Sequence, residues 1–193
     1  MFSDRFCQLN DAVSSCIYST QQELIGEEKA LFYVFDLLSN LQKGNGIVYV
    51  IGNGGSAGIA SHFSTDLIKT LKIPSQTLYD SNLMTCLSND IGYENVFSYP
   101  LGKLFRPSDL LVSISSSGKS PNILKATQVA IDQSIPVITL SGFDQNNPLR
   151  QMGSLNFWID RMDYGLIETA HFFLLHTVVD LWMKKKAMAV EYA

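Results

Sequence analysis

The chain has 193 residues, nearly half of them apolar, with 14 basic side chains against 18 acidic ones and a formal net charge of −4. That length suits one domain with an ordinary core, and no linker-like stretch, charge block or solenoid-length repeat divides it. The acidic balance argues against a protein that grips nucleic acid by its backbone, because such proteins usually show a basic face.

The opening "MFSDRFCQLNDAV" carries acidic residues and no unbroken apolar run, so it reads as no secretory signal. No segment reaches the roughly 20 apolar residues of a membrane span, so no membrane partner is expected. Cys7, Cys16 and Cys86 are an odd number without CxxC spacing, which points to reduced thiols in a cytoplasmic protein. Each is expected as a small buried or half-buried side chain.

From Asp4 to about Leu41, apolar residues recur at three- and four-residue spacings: Phe6, Leu9, Val13, Cys16 and Ile17, then Leu31, Val34, Phe35 and Leu38. The spacing predicts a helical pair broken near Gly26, whose stripe serves a core or a subunit interface. "KGNG" ends it. Ile47–Ile51 reads as a buried strand, Ala57–Leu71 as a helix, and Ser75–Tyr79 as a weak strand followed by a helix from about Asn82. Glu94–Phe105 is expected to be helical. Leu110–Ile114 is a strong strand, Pro121–Gln133 a helix, and Pro136–Leu140 and Leu155–Ile159 two further strands. A last long helix covers about Leu166–Ala187, with Lys184, Lys185 and Lys186 as its solvated end.

Five strands alternating with helices predict an α/β fold, a five-stranded parallel sheet with helices on both faces, preceded by N-terminal helices. The chain is expected to be one domain, with residues 1–43 a helical oligomerisation segment and 44–193 the α/β core. Ligands in such sheets bind beyond the carboxyl ends of the strands. Two of those loops are unusual.

After the first strand comes Gly52-Asn53-Gly54-Gly55-Ser56, then a helix. It reads either as a tight turn with Ser56 as helix cap, or as an anion cradle at the helix N-terminus. It matches neither the dinucleotide fingerprint nor the phosphate loop of nucleotide-binding proteins. After the third strand comes "SISSSGKSPN", where Ser115, Ser116, Ser117 and Ser120 surround Gly118 and lead into a helix at Pro121. Four hydroxyls and free amides at a helix N-terminus make a phosphate-sized nest.

The three histidines fall in two short segments. His62 and Asp66, four apart on a helix, share a face about 40° wide. On the last helix Glu168 and His176 lie eight apart and roughly on one side, whereas His171 lies about 140° from His176. His171 is therefore expected as a hydrogen-bonded core residue. His62, Asp66, Glu168 and His176 form a candidate metal set, because two imidazoles with two carboxylates suit zinc or a similar divalent cation.

The pair "GNGGSA…H" and "ISSSGKSPN" on this framework resembles the sugar isomerase (SIS) domain, a flavodoxin-like three-layer sandwich. Within that superfamily the chain resembles the phosphoheptose isomerases, over nearly its whole length and including "SNDIGYENVF". The resemblance implies isomerisation of sedoheptulose 7-phosphate to D-glycero-D-manno-heptose 7-phosphate for lipopolysaccharide-core or other surface-polysaccharide synthesis. It implies zinc, a homotetramer with shared active sites, and Asn89 and Asp90 lining the sugar site. Asn53, Gly54, Gly55, Ser56 and the four loop serines would bind substrate, with Glu168 beside them.

Family members hold zinc through His and Glu on the first helix and Gln and His on the last, the Glu and second His also moving protons. Here Asp66 stands for the Glu, Glu168 for the Gln, and Thr169 follows where the family has Glu. Asp66 and His176 are thus the expected acid–base pair. Two rival expectations come with the superfamily: a non-catalytic phosphosugar sensor, and a module that associates with a replication initiator.

Overall fold

The protein, described by a computed structural model, is seen over residues 1–191. Its centre is a seven-stranded sheet in the order β2-β1-β7-β6-β5-β3-β4. Five strands are parallel: β3 (Val48–Ile51), β4 (Ser75–Gln76), β5 (Leu110–Ser115), β6 (Val137–Gly142) and β7 (Leu155–Ile159). The sequence reading finds all five, although β4 is only two residues long. Every residue of β3, β5, β6 and β7 is buried, as the inner strands of a sheet covered on both faces must be.

Side chains alternate between the two faces with the period of two that a strand imposes. Val48, Val50, Leu110, Val112 and Ile114 pack with α2 (Glu27–Gly44), α3 (Gly55–Lys69) and α7 (Tyr164–Glu191). Tyr49, Ile51 and Leu111 pack on the opposite face with α4 (Ser81–Ile91), α5 (Ser98–Leu104) and α6 (Pro121–Asp132). Three layers result.

The N-terminal region departs from the helical pair that its stripe predicts. After α1 (Phe2–Ser14), a short hairpin of β1 (Ile17–Ser19) and β2 (Leu24–Ile25) joins the sheet before α2 begins. β1 runs antiparallel to β7, with Ile17 opposite Trp158 and Tyr18 opposite Phe157. Cys16 and Ile17 satisfy a helical period, but the aromatic β-rich "IYS" gains more by closing the open edge of β7. The predicted break at Gly26 is real, since Gly26 is the N-cap of α2.

The expected helix Glu94–Phe105 is also interrupted: a 3-10 turn covers Tyr93–Asn95 and α5 starts only at Ser98. Pro100 has no amide hydrogen and its ring would strike the carbonyl four residues back, so a continuous helix from Glu94 is barred. Cys16 is buried as expected, but Cys7 and Cys86 are exposed. α7 differs from the sequence reading in another respect. By length and composition Tyr164–Lys186 is apolar enough to cross a membrane, with a mean hydropathy of 1.2. Its apolarity serves packing, because Ile167, Ala170, His171, Val179 and Trp182 are buried among α1, α3, α2 and the sheet.

The chain order decides where a ligand can sit. From β3 the chain passes to β4 on one side, then crosses back to place β5 on the other side of β3. β3 and β5 therefore flank the topological switch point, where the loops leaving two adjacent strands diverge and open a crevice.

Candidate functional site

The crevice at that switch point is a cleft of about 280 Å³. It is lined by Asn53, Gly54, Gly55 and Ser56 from the β3–α3 loop, and by Ile114, Ser115, Ser116, Ser117 and Ser120 from β5 and its loop. Tyr164 and Glu168 of α7 complete the wall. Eight of the expected ligand-binding positions on the two loops thus meet in one place, together with Glu168.

Both loops owe their shape to glycine. Gly54 has φ +52 and is the N-cap of α3, so the turn is one that a side chain would strain. The cap expected from Ser56 is not made: Ser56 sits inside the first turn, buried, Gly54 is the N-cap, and no side chain accepts from the free amides there. In the second loop Gly118 has φ +63 and lies against the Asn147 carboxamide, so closely that a Cβ there would collide with it. Asn147 is itself wholly buried and donates to the Ser141 hydroxyl and the Gly142 and Asp144 carbonyls. It is a brace for the serine loop that the sequence reading missed, being separated from that loop by nearly thirty residues.

Among the described residues, no lysine or arginine lines the cleft. Lys119, at the tip of the serine loop, is paired with Asp144 at 3.2 Å. An anion here must be held by hydroxyls and by the amides at the starts of α3 and α6, where the positive ends of both helix dipoles converge. The Ser116 hydroxyl is buried without any partner, an arrangement that costs free energy until something supplies one. Ser115 and Ser120 are hydrogen-bonded to each other at 3.2 Å.

The second cluster lies farther along the same two helices. His62, Asp66 and His176 bring one donor atom each within 4.8 Å of one another. The Asp66 Oδ2 meets His176 Nδ1 at 2.9 Å and His62 Nε2 at 3.3 Å. Phe172, one turn before His176, stacks on its ring with 6.0 Å between centroids and lies 4.9 Å from that of His62. Three of the four expected metal-binding residues therefore converge. Glu168 stands apart from them in the protomer, its carboxylate pressed against Gly55 at the cleft.

α3 and α7 run side by side in the same direction, since Glu168 meets Gly55 at one end and His176 meets Asp66 at the other. Eight residues separate Glu168 from His176, about 12 Å along the helix. Asn89 and Asp90, expected at the sugar, end α4 and hydrogen-bond to each other without lining the cleft. His171 is the core residue its angle predicts: fully buried, it bonds through Nε2 to the Ser141 carbonyl at 3.1 Å, and burial pushes its pKa down to about 4.

The sequence reading missed four contributors besides Asn147. Tyr79 brackets the first loop by donating to the Gly52 carbonyl and accepting from its amide. Tyr93 and Asn122 bond to Asn53. Tyr164 lines the cleft. Asn122 directly follows the "SP" that marks the start of α6, and its position next to a loop of donors was the only available signal.

The SIS-domain family model matches residues 13–142. Phosphoheptose isomerase of Campylobacter concisus is 34% identical over 168 residues, which cover 83% of this chain and 86% of that protein. The enzyme of the same name from Geotalea daltonii is 31% identical over 185 residues, 91% of this chain and 96% of its own. Among solved structures, phosphoheptose isomerase from Neisseria gonorrhoeae superposes with a TM-score of 0.80 at 24% identity, over 95% of this chain and 97% of that one.

Proposed function

The chain belongs to the SIS-domain family and within it to the phosphoheptose isomerases, and from that premise we propose that it interconverts sedoheptulose 7-phosphate and D-glycero-D-manno-heptose 7-phosphate. The observation that carries the reading is the serine-lined cleft with its orphaned Ser116 hydroxyl, open to two helix N-termini and followed along α3 and α7 by an imidazole–carboxylate cluster. The first feature suits a phosphate, the second a proton transfer, and the spacing between them suits an extended phosphorylated sugar chain.

An aldose–ketose isomerisation moves one proton between adjacent carbons through an enediol, with no net change in oxidation state. Ser115, Ser116, Ser117 and Ser120, with the loop amides, hold the phosphate. That remote binding energy positions the reacting carbons. Asn53, Gly54, Gly55, Ser56 and Glu168 face the sugar body, while Asn89 and Asp90, at the end of α4 and off the cleft wall, take part only if substrate or a neighbouring protomer draws α4 toward the cleft. With its Nδ1 committed to Asp66, His176 has Nε2 free for the substrate. Asp66 and His176 then form the acid–base pair, the carboxylate accepting the carbon-bound proton and the imidazole serving the oxygen.

The donor set of His62, Asp66 and His176 fits a divalent cation, two imidazoles and a carboxylate being a common zinc complement. Held by these residues, zinc would supply Lewis-acid polarisation of the substrate oxygens. Glu168 joins this set only by way of a neighbouring protomer or a shift of its side chain. The assembly read here is a homotetramer. Phe2 and Phe6 of α1 are 97% and 70% exposed, and Phe173 of α7 is 52% exposed, a degree of apolar exposure that suits subunit contact. A cytoplasmic location and a role in surface-polysaccharide heptose synthesis complete the proposal.

The test is an isomerase assay with sedoheptulose 7-phosphate, with and without zinc, alongside metal analysis of protein purified without chelator. Turnover by the wild-type chain, lost in Asp66→Asn and His176→Ala, is expected. Folded protein that binds the ketose phosphate but never turns it over would point instead to a sensor.

A further inference from the structure

One backbone amide fixes the orientation of three side chains beside the cleft. The Ile123 N–H lies 3.0 Å from one terminal atom of the Asn122 side chain. An amide N–H can only donate, so that atom is the Asn122 oxygen and its other terminal atom is the nitrogen. Asn122 and Asn53 face each other as a reciprocal pair, with both N···O distances 2.9 Å. The Asn122 nitrogen therefore donates to Asn53 Oδ1, and Asn53 Nδ2 donates to Asn122 Oδ1. The Tyr93 hydroxyl, 3.0 Å away, donates to Asn53 Oδ1 as well.

The count for Asn53 is then complete on one side only. Its oxygen has two acceptor positions, filled by Asn122 and Tyr93. Its nitrogen has two hydrogens, one of them given to Asn122. Asn53 lines the cleft, and the group it has left to offer there is a single N–H. Asn122 is 1% exposed and cannot turn without breaking three bonds, so the choice is locked from behind.

We infer that Tyr93 and Asn122 are positioning residues that present Asn53 to the cleft as a donor only, so that this point of the site selects a hydroxyl or carbonyl oxygen of the sugar body. The inference rests on the phosphosugar reading above and adds to it the atom that is offered and the two residues that dictate it. The bonds of Asn53 to Asn122 and Tyr93 stitch together the β3–α3 loop, the segment after α4 and the first turn of α6. Tyr93 is about half exposed, so removal of its hydroxyl leaves the core untouched.

The experiment measures dissociation constants by titration calorimetry for sedoheptulose 7-phosphate and for inorganic phosphate, on wild type, Tyr93→Phe, Asn53→Ala and the double variant. In Tyr93→Phe the sugar phosphate weakens about 3- to 10-fold, the worth of one neutral hydrogen bond, while inorganic phosphate is unchanged. In the Asn53→Ala background Tyr93→Phe has no further effect, because it acts through Asn53. Equal weakening of both ligands, no weakening, or additive losses in the double variant overturns the inference. A binding split in the variants together with no turnover by the wild type removes the isomerase reading and leaves this one standing. Wild-type protein that binds neither ligand removes both.

Discussion

His171 makes the stability of this protein depend on pH. The ring is fully buried, its Nε2 hydrogen is committed to the Ser141 carbonyl, and its Nδ1 has no partner. A second proton would place a charge in the core, which is why burial drives the pKa from 6.5 down to about 4. The sign follows from linkage. Below 6.5 the unfolded chain takes up a proton that the folded chain refuses until about 4, so stability is full above 6.5 and declines as pH falls through that window.

The whole gap, at about 1.4 kcal/mol per pH unit, is worth about 3 kcal/mol, and about 2 kcal/mol of it is lost between pH 7.5 and 5. Urea unfolding at equal protein concentration measures it, with a drop in midpoint of about 1 M for a typical slope. The control is His171→Gln, whose amide keeps a donor near the Nε2 position but cannot titrate. That variant starts less stable, and its difference from wild type shrinks by about 2 kcal/mol on going to pH 5. Parallel decline of the two proteins would refute the assignment of the effect to His171.

Other outcomes are equally specific. Gly118→Ala forces a side chain into a left-handed backbone and against Asn147, costing about 1–3 kcal/mol; inhibition by inorganic phosphate should weaken with it, and unchanged inhibition would separate that loop from phosphate binding. Gly55→Ala drives a methyl group into the Glu168 carboxylate, which can swing aside, so calorimetry should show a small stability loss while the sugar-phosphate KM rises. Phe6→Ser on the exposed side of α1 should shift the sedimentation profile toward smaller species, with an unchanged profile placing the subunit contact elsewhere. Metal analysis of Asp66→Asn should show zinc content well below wild type, since the only carboxylate of the converging set loses its charge.

What was legible in the sequence was local and periodic. Apolar runs of the right length mark β3, β5, β6 and β7, because a strand buried on both faces is mostly apolar, and its polar residues (Ser113, Ser115, Thr139, Ser141 and Asn156) are small groups hydrogen-bonded within the fold. The two loops are legible for a related reason: glycine and serine appear together where a turn needs unusual backbone angles and a helix start needs donors. The four-residue spacing of His62 and Asp66 set them on one face without knowledge of the fold.

The tertiary structure decided everything that depends on which elements become neighbours. The hairpin of β1 and β2 forms because β7 leaves an edge to be paired, a demand no local window contains. The cleft exists because β5 lies beside β3 while β4 lies on its other side. Asn147 reaches Gly118, and Tyr93 and Asn122 reach Asn53, across separations at which periodicity carries no information. Glu168 shows the limit most plainly. Helical geometry sets it on the same side of α7 as His176, but the packing of α7 on α3 puts one opposite Gly55 and the other opposite Asp66. Which residues carry the chemistry was written in their types and spacing; which of them meet was fixed by the chain's path through the sheet.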